Sequence, residues 1–221
     1  LILSIYFKFK KSTKAIFILA IAVLILFIIG MSMNAFTLEF TRGSEDGEKQ
    51  YSEWNAISRI DLYGNDDGKI ILIDSDASTS VLRIDDDITE VSDISNEIHA
   101  LVYQIKSDSE ALIIGVGGGK DVITALLSNN TVIGVEINDL IINDLMFGIL
   151  SDFSGNLYSR DDVTIVLDEG RSYIRSSDEK YDVIQMSLVD TWAATAAGAF
   201  TLTENNLYTV EAFVEYITHL E

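Results

Sequence analysis

The first pattern along the chain is an uninterrupted apolar run near its amino terminus. No charged side chain occurs between Ala15 and Leu38, and the run begins AIFILAIAVLILFIIGMSM. A helix that packs on a soluble domain shows polar positions in each turn, whereas about 20 apolar residues are needed to cross a bilayer. A signal peptide is the competing interpretation, but its apolar core is usually only about 7–15 residues long. The pattern predicts one retained transmembrane helix, and we assign residues 1–38 to a membrane segment.

The next part of the chain is polar and then alternates in short runs. Residues 39–50 (EFTRGSEDGEKQ) have the composition of a linker. Within residues 51–106 the runs IDLYG and KIILIDS flank NDDG, a turn typical of a β-hairpin. VLRI is a further candidate strand, and NEIHALVYQIK fits a short amphipathic helix. We therefore predict a small β-rich region over residues 51–106.

Residues 107–221 alternate between buried strands and helices. The predicted strands are EALIIGV, TVIGVEI, VTIVLD and YDVIQMSLVD, and a helical pattern follows each of them. Their apolar runs lack strict alternation, as expected when helices cover both faces of a sheet. Strand–helix alternation indicates an α/β fold with a parallel sheet. The chain stops before the last strands that such a sheet usually has, so we expect this domain to be truncated at its carboxyl end.

Charge divides the chain at the end of the apolar run. Residues 1–38 carry four lysines and no acid, whereas the remainder carries 11 basic and 35 acidic side chains, a net charge of −24. Such an acidic domain repels a phosphate backbone, so we expect no nucleic-acid partner, while a cationic partner is tolerated or attracted. The absence of cysteine excludes disulfides, thiolate metal sites and a cysteine nucleophile.

A glycine-rich turn follows the first strand of the α/β region. Its glycines occupy alternate positions, at Gly115, Gly117 and Gly119. The dinucleotide fingerprint G-x-G-x-x-G fails, because its third glycine falls on Lys120. The alternating form is typical of sites for nucleosides that lack a pyrophosphate, although any tight strand–helix turn can use glycine.

Acidic side chains end the other three strands of this region: Glu136, Asp168 with Glu169, and Asp190. A carboxylate after the second strand can accept hydrogen bonds from both ribose hydroxyls, and one after the third can accept from an adenine amine. Asp190 closes a largely apolar strand and is a candidate proton acceptor. Each acid alone is equally consistent with a solvated side chain or a helix cap. Because parallel strands end at one sheet edge, together they predict a nucleoside site.

The motifs that surround these residues resemble the spermidine synthase family, the polyamine aminopropyltransferases. The resemblance rests on LIIGVGGGKDV, VIGVEIN, VLDEGRSYI, YDVIQMSLVD and LYTVEAF, and is strongest to the membrane-embedded, fused bacterial members. It covers about residues 110–217. It implies a methyltransferase-like Rossmann domain preceded by a small β region, with decarboxylated S-adenosylmethionine as the aminopropyl donor.

The resemblance also implies roles for the acids. By this match Glu136 holds the ribose, and Glu169, with Asp168 beside it, faces the adenine. Asp190 matches the second of two aspartates that end the family's fourth strand. The first of that pair, the family's proton acceptor, falls on Ser187, and the aspartate of the family's glycine loop falls on Gly118. The acids for nucleoside binding are therefore retained better than those for polyamine chemistry, and we assign the catalytic role to Asp190.

These observations lead to one preferred function and two alternatives. We expect a spermidine-synthase-like transferase that moves an aminopropyl group to a small cationic amine, without a metal. The alternatives are methyl transfer from S-adenosylmethionine and a non-catalytic nucleoside-binding membrane protein. We expect membrane lipid as a further partner, a homo-oligomer, and a location in a bacterial inner membrane. The lysines before the span favour a cytoplasmic amino terminus, whereas a metabolic enzyme needs its soluble domain there, so the side of the domain stays open.

Overall fold

The computed structural model describes residues 13–32, 48–75, 77–187 and 206–221, and divides the chain into two compact units, Leu1–Thr41 and Arg42–Glu221. Helix α1, Thr13–Ser32, belongs to the first unit. Its 20 residues are about 30 Å long at about 1.5 Å per residue, and its large apolar side chains are exposed. The helix is long and apolar enough to span a membrane, a property it shares with signal sequences.

An antiparallel sheet opens the second unit. Its strands are β1 (Glu48–Trp54), β2 (Arg59–Gly64), β3 (Lys69–Ile73) and β4 (Ala77–Val81), paired in chain order. The predicted hairpin around NDDG joins β2 to β3, with Gly64 opposite Lys69. The side chain of Asn65 tightens the turn by accepting hydrogen bonds from the N–H groups of Asp67 and Gly68.

The parallel sheet follows, with the strand order β7-β6-β5-β8. Its strands are β5 (Glu110–Ile114), β6 (Thr131–Glu136), β7 (Val163–Leu167) and β8 (Val183–Gln185). The helices are α2 (Leu101–Ile105), α3 (Lys120–Leu126), a π-helix (Leu140–Ile149), α4 (Gly170–Ser176) and α5 (Val210–Thr218), with 3₁₀ segments at Ile88–Asn96, Ile98–Ala100, Leu157–Ser159 and Asn206–Tyr208. The predicted α/β class and parallel sheet are confirmed.

The core lies on both faces of the parallel sheet, because successive side chains of a strand point to opposite faces. Ala111 and Ile113 of β5 face the larger cluster, which includes apolar residues of β2 and β3. Leu112 and Ile114 face the smaller cluster, formed with α4, α5 and their neighbours. The first cluster thus joins the antiparallel sheet to the Rossmann-like part.

Three local predictions differ from the structure. The strand placed at VLRI is wrong in its bounds, because β4 covers Ala77–Val81 and only Val81 is shared. The edge of β3 opposite β2 pairs with the run ASTSV. This run is too polar for its sequence to predict a strand. The linker placed at 39–50 runs into β1, which begins at Glu48, and the helix placed at 96–106 is divided between Ile98–Ala100 and α2.

Candidate functional site

The glycine turn needs glycine at its alternate positions. Gly115, Gly117 and Gly119 have φ angles of 77°, 50° and 86°, in the left-handed region where a side chain is strained. A Cβ atom on Gly119 would also lie 2.4 Å from Cδ2 of Leu157. The turn therefore leads the chain from β5 into α3 while its backbone packs closely against Leu157.

Glu136 ends β6 and points back at the glycine turn. Its side chain is 93% buried, its Oε2 accepts a hydrogen bond from the N–H of Gly117 at 3.0 Å, and its Oε1 accepts from Ile137 and Asn138 at 3.0 and 3.1 Å. Burial raises the pKa of Glu136, although these three hydrogen bonds act in the opposite direction. The carboxylate is thus fixed in place by backbone groups, which occupy three of its roughly four acceptor positions and leave one, on Oε2, for a ligand.

The N–H groups of the glycine turn already have partners. Gly117 donates to Glu136, Gly118 donates to Oγ1 of Thr79 at 3.0 Å, and Gly119 donates to the carbonyl of Val116. A turn that binds phosphate instead directs its free N–H groups at the ligand. The N–H groups of Gly117, Gly118 and Gly119 are therefore not free to bind a phosphate.

Gly118 stands where the resembling family carries an aspartate, and the structure gives a physical reason. A Cβ atom on Gly118 would lie 2.4 Å from the carbonyl oxygen of Ser80 in β4. No side chain fits there unless β4 moves away. The antiparallel sheet therefore occupies the space that a longer residue in the turn would need.

We expect Gly118→Ala to lower the free energy of unfolding by about 1–3 kcal/mol, because overpacking against a backbone atom forces a shift of the chain. Gly68→Ala is the matched control, since nothing lies within 4 Å of its Cβ position. Thermal or denaturant unfolding of the two variants provides the measurement. Equal stability of both would show that β4 does not constrain the turn.

The acids after β7 take different positions. Glu169 caps α4, because its carboxylate accepts from the N–H of Arg171 and from the N–H and hydroxyl of Ser172 at 2.8–3.0 Å. Partial burial alone would raise the pKa of Glu169, but these hydrogen bonds outweigh it and lower the pKa. Asp168 is exposed beside it, and its N–H donates to the carbonyl of Glu136. Asp168 is therefore the more accessible of the two carboxylates for the adenine contact that the resemblance implies for this pair.

Asn138 is a further residue of this site that no sequence motif indicates. It is buried, and its N–H donates to Glu136. Its side-chain amide donates to Ser58 at 2.8 Å and accepts from Asn55 at 2.8 Å. Asn138 thus ties the carboxylate to the antiparallel sheet. No local sequence signal reveals this, since the partners lie about 80 residues apart.

The end of β8 is described as far as Ser187. Asp190, the predicted catalytic residue, lies outside the described residues. Asp121, in the first turn of α3, is 91% buried, and this burial raises its pKa against the opposing effects of Ser187, His99 and Lys120.

Lys120 follows the glycine turn and forms an ion pair with Glu97. Its Nζ atom lies 2.6 Å from Oε2 of Glu97, and both side chains are partly exposed. Among the described residues no group of three His, Cys, Asp or Glu side chains is arranged to hold a metal ion.

Similarity to solved structures identifies the fold of this chain. No protein-family model matches the sequence, and no curated protein matches it. Among solved structures, a spermidine synthase in complex with the transition-state analogue AdoDATO is 20% identical, with a TM-score of 0.53 over 78% of this chain and 53% of that chain. The spermidine synthase from Thermotoga maritima is also 20% identical, with a TM-score of 0.57 over 82% of this chain and 60% of that chain.

The present chain therefore spans between 53% and 60% of the length of these two enzymes. The expected small β region in front of a Rossmann-like sheet is confirmed, and so is the resemblance at the level of the fold. The chain has the fold of the spermidine synthases.

Proposed function

We propose that this chain is a membrane-anchored transferase that binds decarboxylated S-adenosylmethionine and transfers its aminopropyl group to an amine. The observation that carries the proposal is the contact between the buried carboxylate of Glu136 and the N–H of Gly117. It joins the ends of two adjacent parallel strands at the edge where open α/β sheets bind ligands. The shared fold with spermidine synthases supports the choice of reaction.

The residues take these roles in the proposal. Oε2 of Glu136 accepts a hydrogen bond from a ribose hydroxyl, and Asp168, with Glu169 beside it, accepts one from the exocyclic amine of adenine. The turn with Gly115, Gly117 and Gly119 provides a close backbone surface for the rest of the donor. The adenosine half is thereby fixed, and the sulfonium is presented to the acceptor.

The reaction is a substitution at carbon. The unprotonated nitrogen of the amine attacks the methylene carbon next to the sulfonium, so that an N–C bond forms while the C–S bond breaks. The electron pair stays on sulfur, and neutral 5′-methylthioadenosine leaves. The nitrogen loses its proton to a carboxylate, for which we propose Asp190. The strongly acidic soluble part attracts the cationic amine.

The pairing of Lys120 supports the decarboxylated donor over S-adenosylmethionine itself. A methyl donor retains a carboxylate, which a cation near the turn would stabilise. Lys120 is the cation closest in sequence to the turn, and Glu97 already neutralises it. A carboxylated donor would instead meet an acidic surface.

We expect decarboxylated S-adenosylmethionine to bind the full chain, purified in detergent, at least about tenfold more tightly than S-adenosylmethionine, a difference of about 1.4 kcal/mol. 5′-Methylthioadenosine should bind as well, because it keeps the adenosine half. Isothermal titration calorimetry with the three compounds measures this order. Tighter binding of the carboxylated compound would favour methyl transfer, and binding of none of them would overturn the proposal.

A further inference from the structure

Helix α5 has apolar side chains on its exposed face as well as on its buried face. On the buried face, Ala212 and Tyr216 pack into the smaller core cluster. On the exposed face, four apolar residues recur at the spacing i, i+3, i+4 and i+7, which is one face of a helix. They are 48–77% exposed: Val210, Phe213, Val214 and Ile217. A surface helix of a soluble domain normally has polar residues at such positions, so this row, the α5 stripe, indicates a binding surface.

The buried side of α5 fixes the direction in which the stripe faces. Oη of Tyr216 donates to the carbonyl oxygen of Leu207 at 2.9 Å, and Nε of Arg171 in α4 donates to Oε2 of Glu215 at 2.9 Å. The rings of Phe213 and Tyr216 are in edge-to-face contact, with their centroids 5.8 Å apart. Helix α5 cannot turn about its axis to bury the stripe without losing these contacts. The stripe is therefore a preformed surface.

The charges on α5 favour a protein partner over a lipid surface. Amphipathic helices that lie on a membrane are rich in Lys and Arg on their polar face. The charged residues of α5 are both acidic, Glu211 and Glu215, and Glu211 is exposed. An anionic lipid surface would repel them, whereas a protein surface can supply the apolar contact without that cost.

The spacing of the stripe makes it complementary to itself. The order Val-x-x-Phe-Val-x-x-Ile has the same spacing of apolar positions when it is read from either end. Two copies of α5 that run in opposite directions therefore place Val210 of one opposite Ile217 of the other, and Phe213 opposite Val214. A surface that contacts the same surface of a second copy generates a closed, twofold dimer.

The charges at the two ends of the stripe select the antiparallel direction. Glu211 lies in the first turn of α5, and Nζ of Lys180 donates to the carbonyl oxygen of Thr218 at the last turn. An antiparallel pair brings the Glu211 end of each helix to the Lys180 end of the other. A parallel pair would instead bring like charges together, which is unfavourable.

We propose that the α5 stripe binds the α5 stripe of a second copy of this chain, in an antiparallel pair whose twofold axis passes between Phe213 and Val214. This contact is independent of the proposed transferase reaction. One short helix from each copy buries less than the roughly 800 Å² per partner of a standard interface, so we expect a dissociation constant in the range of about 1–100 μM.

Sedimentation velocity of the full chain in detergent micelles tests the contact. We expect Val214→Glu to raise the dissociation constant at least about tenfold, because it places two like charges at the centre of an apolar contact. Val214 is 55% exposed, so the circular dichroism spectrum should not change. Ile105→Glu, the same kind of change at an 82% exposed residue of α2, is the matched control and should associate like the wild type. Wild-type association of Val214→Glu, or a wild-type chain that stays monomeric above the expected range, would overturn the proposal.

Disulfide cross-linking tests the direction of the pair, and it is specific because the chain contains no cysteine. In the antiparallel pair the two Val210 side chains lie about 10 Å apart along the helix axis, at about 1.5 Å per residue. A disulfide needs Cα atoms within about 7 Å of each other. We therefore expect oxidation to link Val210→Cys copies to Ile217→Cys copies, but not to link Val210→Cys copies to one another. Links between Val210→Cys copies alone, or no links in the mixture, would contradict the antiparallel pair.

Discussion

Replacement of Glu136 by glutamine is expected to weaken 5′-methylthioadenosine binding by about one to two orders of magnitude, the equivalent of one hydrogen bond to a charged group. Both carboxylate oxygens accept from backbone N–H groups. An amide has only one oxygen, so its NH₂ group must face an N–H donor of Gly117 or of Ile137 and Asn138. The ribose loses its charged acceptor, and the glycine turn loses its contact with β6.

Calorimetry of Glu136→Gln beside Glu179→Gln provides the comparison, since Glu179 is exposed and distant in sequence from the turn.

The free energy of unfolding, measured as a function of pH, adds an independent readout. Because burial raises the pKa of Glu136, its contribution to stability is present below the ordinary glutamate pKa of 4.5 and is lost as pH rises through the raised value. The wild-type advantage over Glu136→Gln should therefore shrink as pH rises. Wild-type affinity in the variant would remove the basis of the proposed ribose contact.

Replacement of Asp61 by alanine is expected to have the largest effect on folding, about 3–5 kcal/mol of unfolding free energy. Asp61 is fully buried in β2, and Arg59, two residues earlier, is 97% buried. Nη2 of Arg59 donates to Oδ1 of Asp61 at 2.9 Å and to Oγ of Ser52 at 3.1 Å. Removal of the carboxylate takes a charged partner at 2.9 Å away from a buried guanidinium.

Asp85→Ala is the matched control, because Asp85 pairs with Arg83 at 2.8 Å while both side chains are well exposed. Exposed pairs contribute about 0–1 kcal/mol, so this variant should unfold close to the wild type. Urea unfolding followed by circular dichroism measures both. A loss in Asp61→Ala no larger than in Asp85→Ala would show that the interior of the antiparallel sheet admits enough water to solvate Arg59.

The Rossmann-like part was predictable because its signals are local. The strand EALIIGV, the turn with glycines at alternate positions and the helix beginning near Lys120 follow one another within about 15 residues. The positive φ angles of Gly115, Gly117 and Gly119 explain why that turn stands out in the sequence. The same locality explains the failure at β4, since a polar edge strand forms only because β3 offers a partner.

The candidate site also has some features that depend on local sequence and others that depend on distant contacts. The sequence by itself determined the α/β class, the glycine turn and the acids at the strand ends, because backbone preference and hydrophobic periodicity act over a few residues. Only the tertiary structure decided that Thr79 covers Gly118, that Glu169 caps its own helix and that Asn138 joins Glu136 to Ser58. Those contacts depend on the strand order and on competition among nearby N–H donors, which a one-dimensional pattern does not encode.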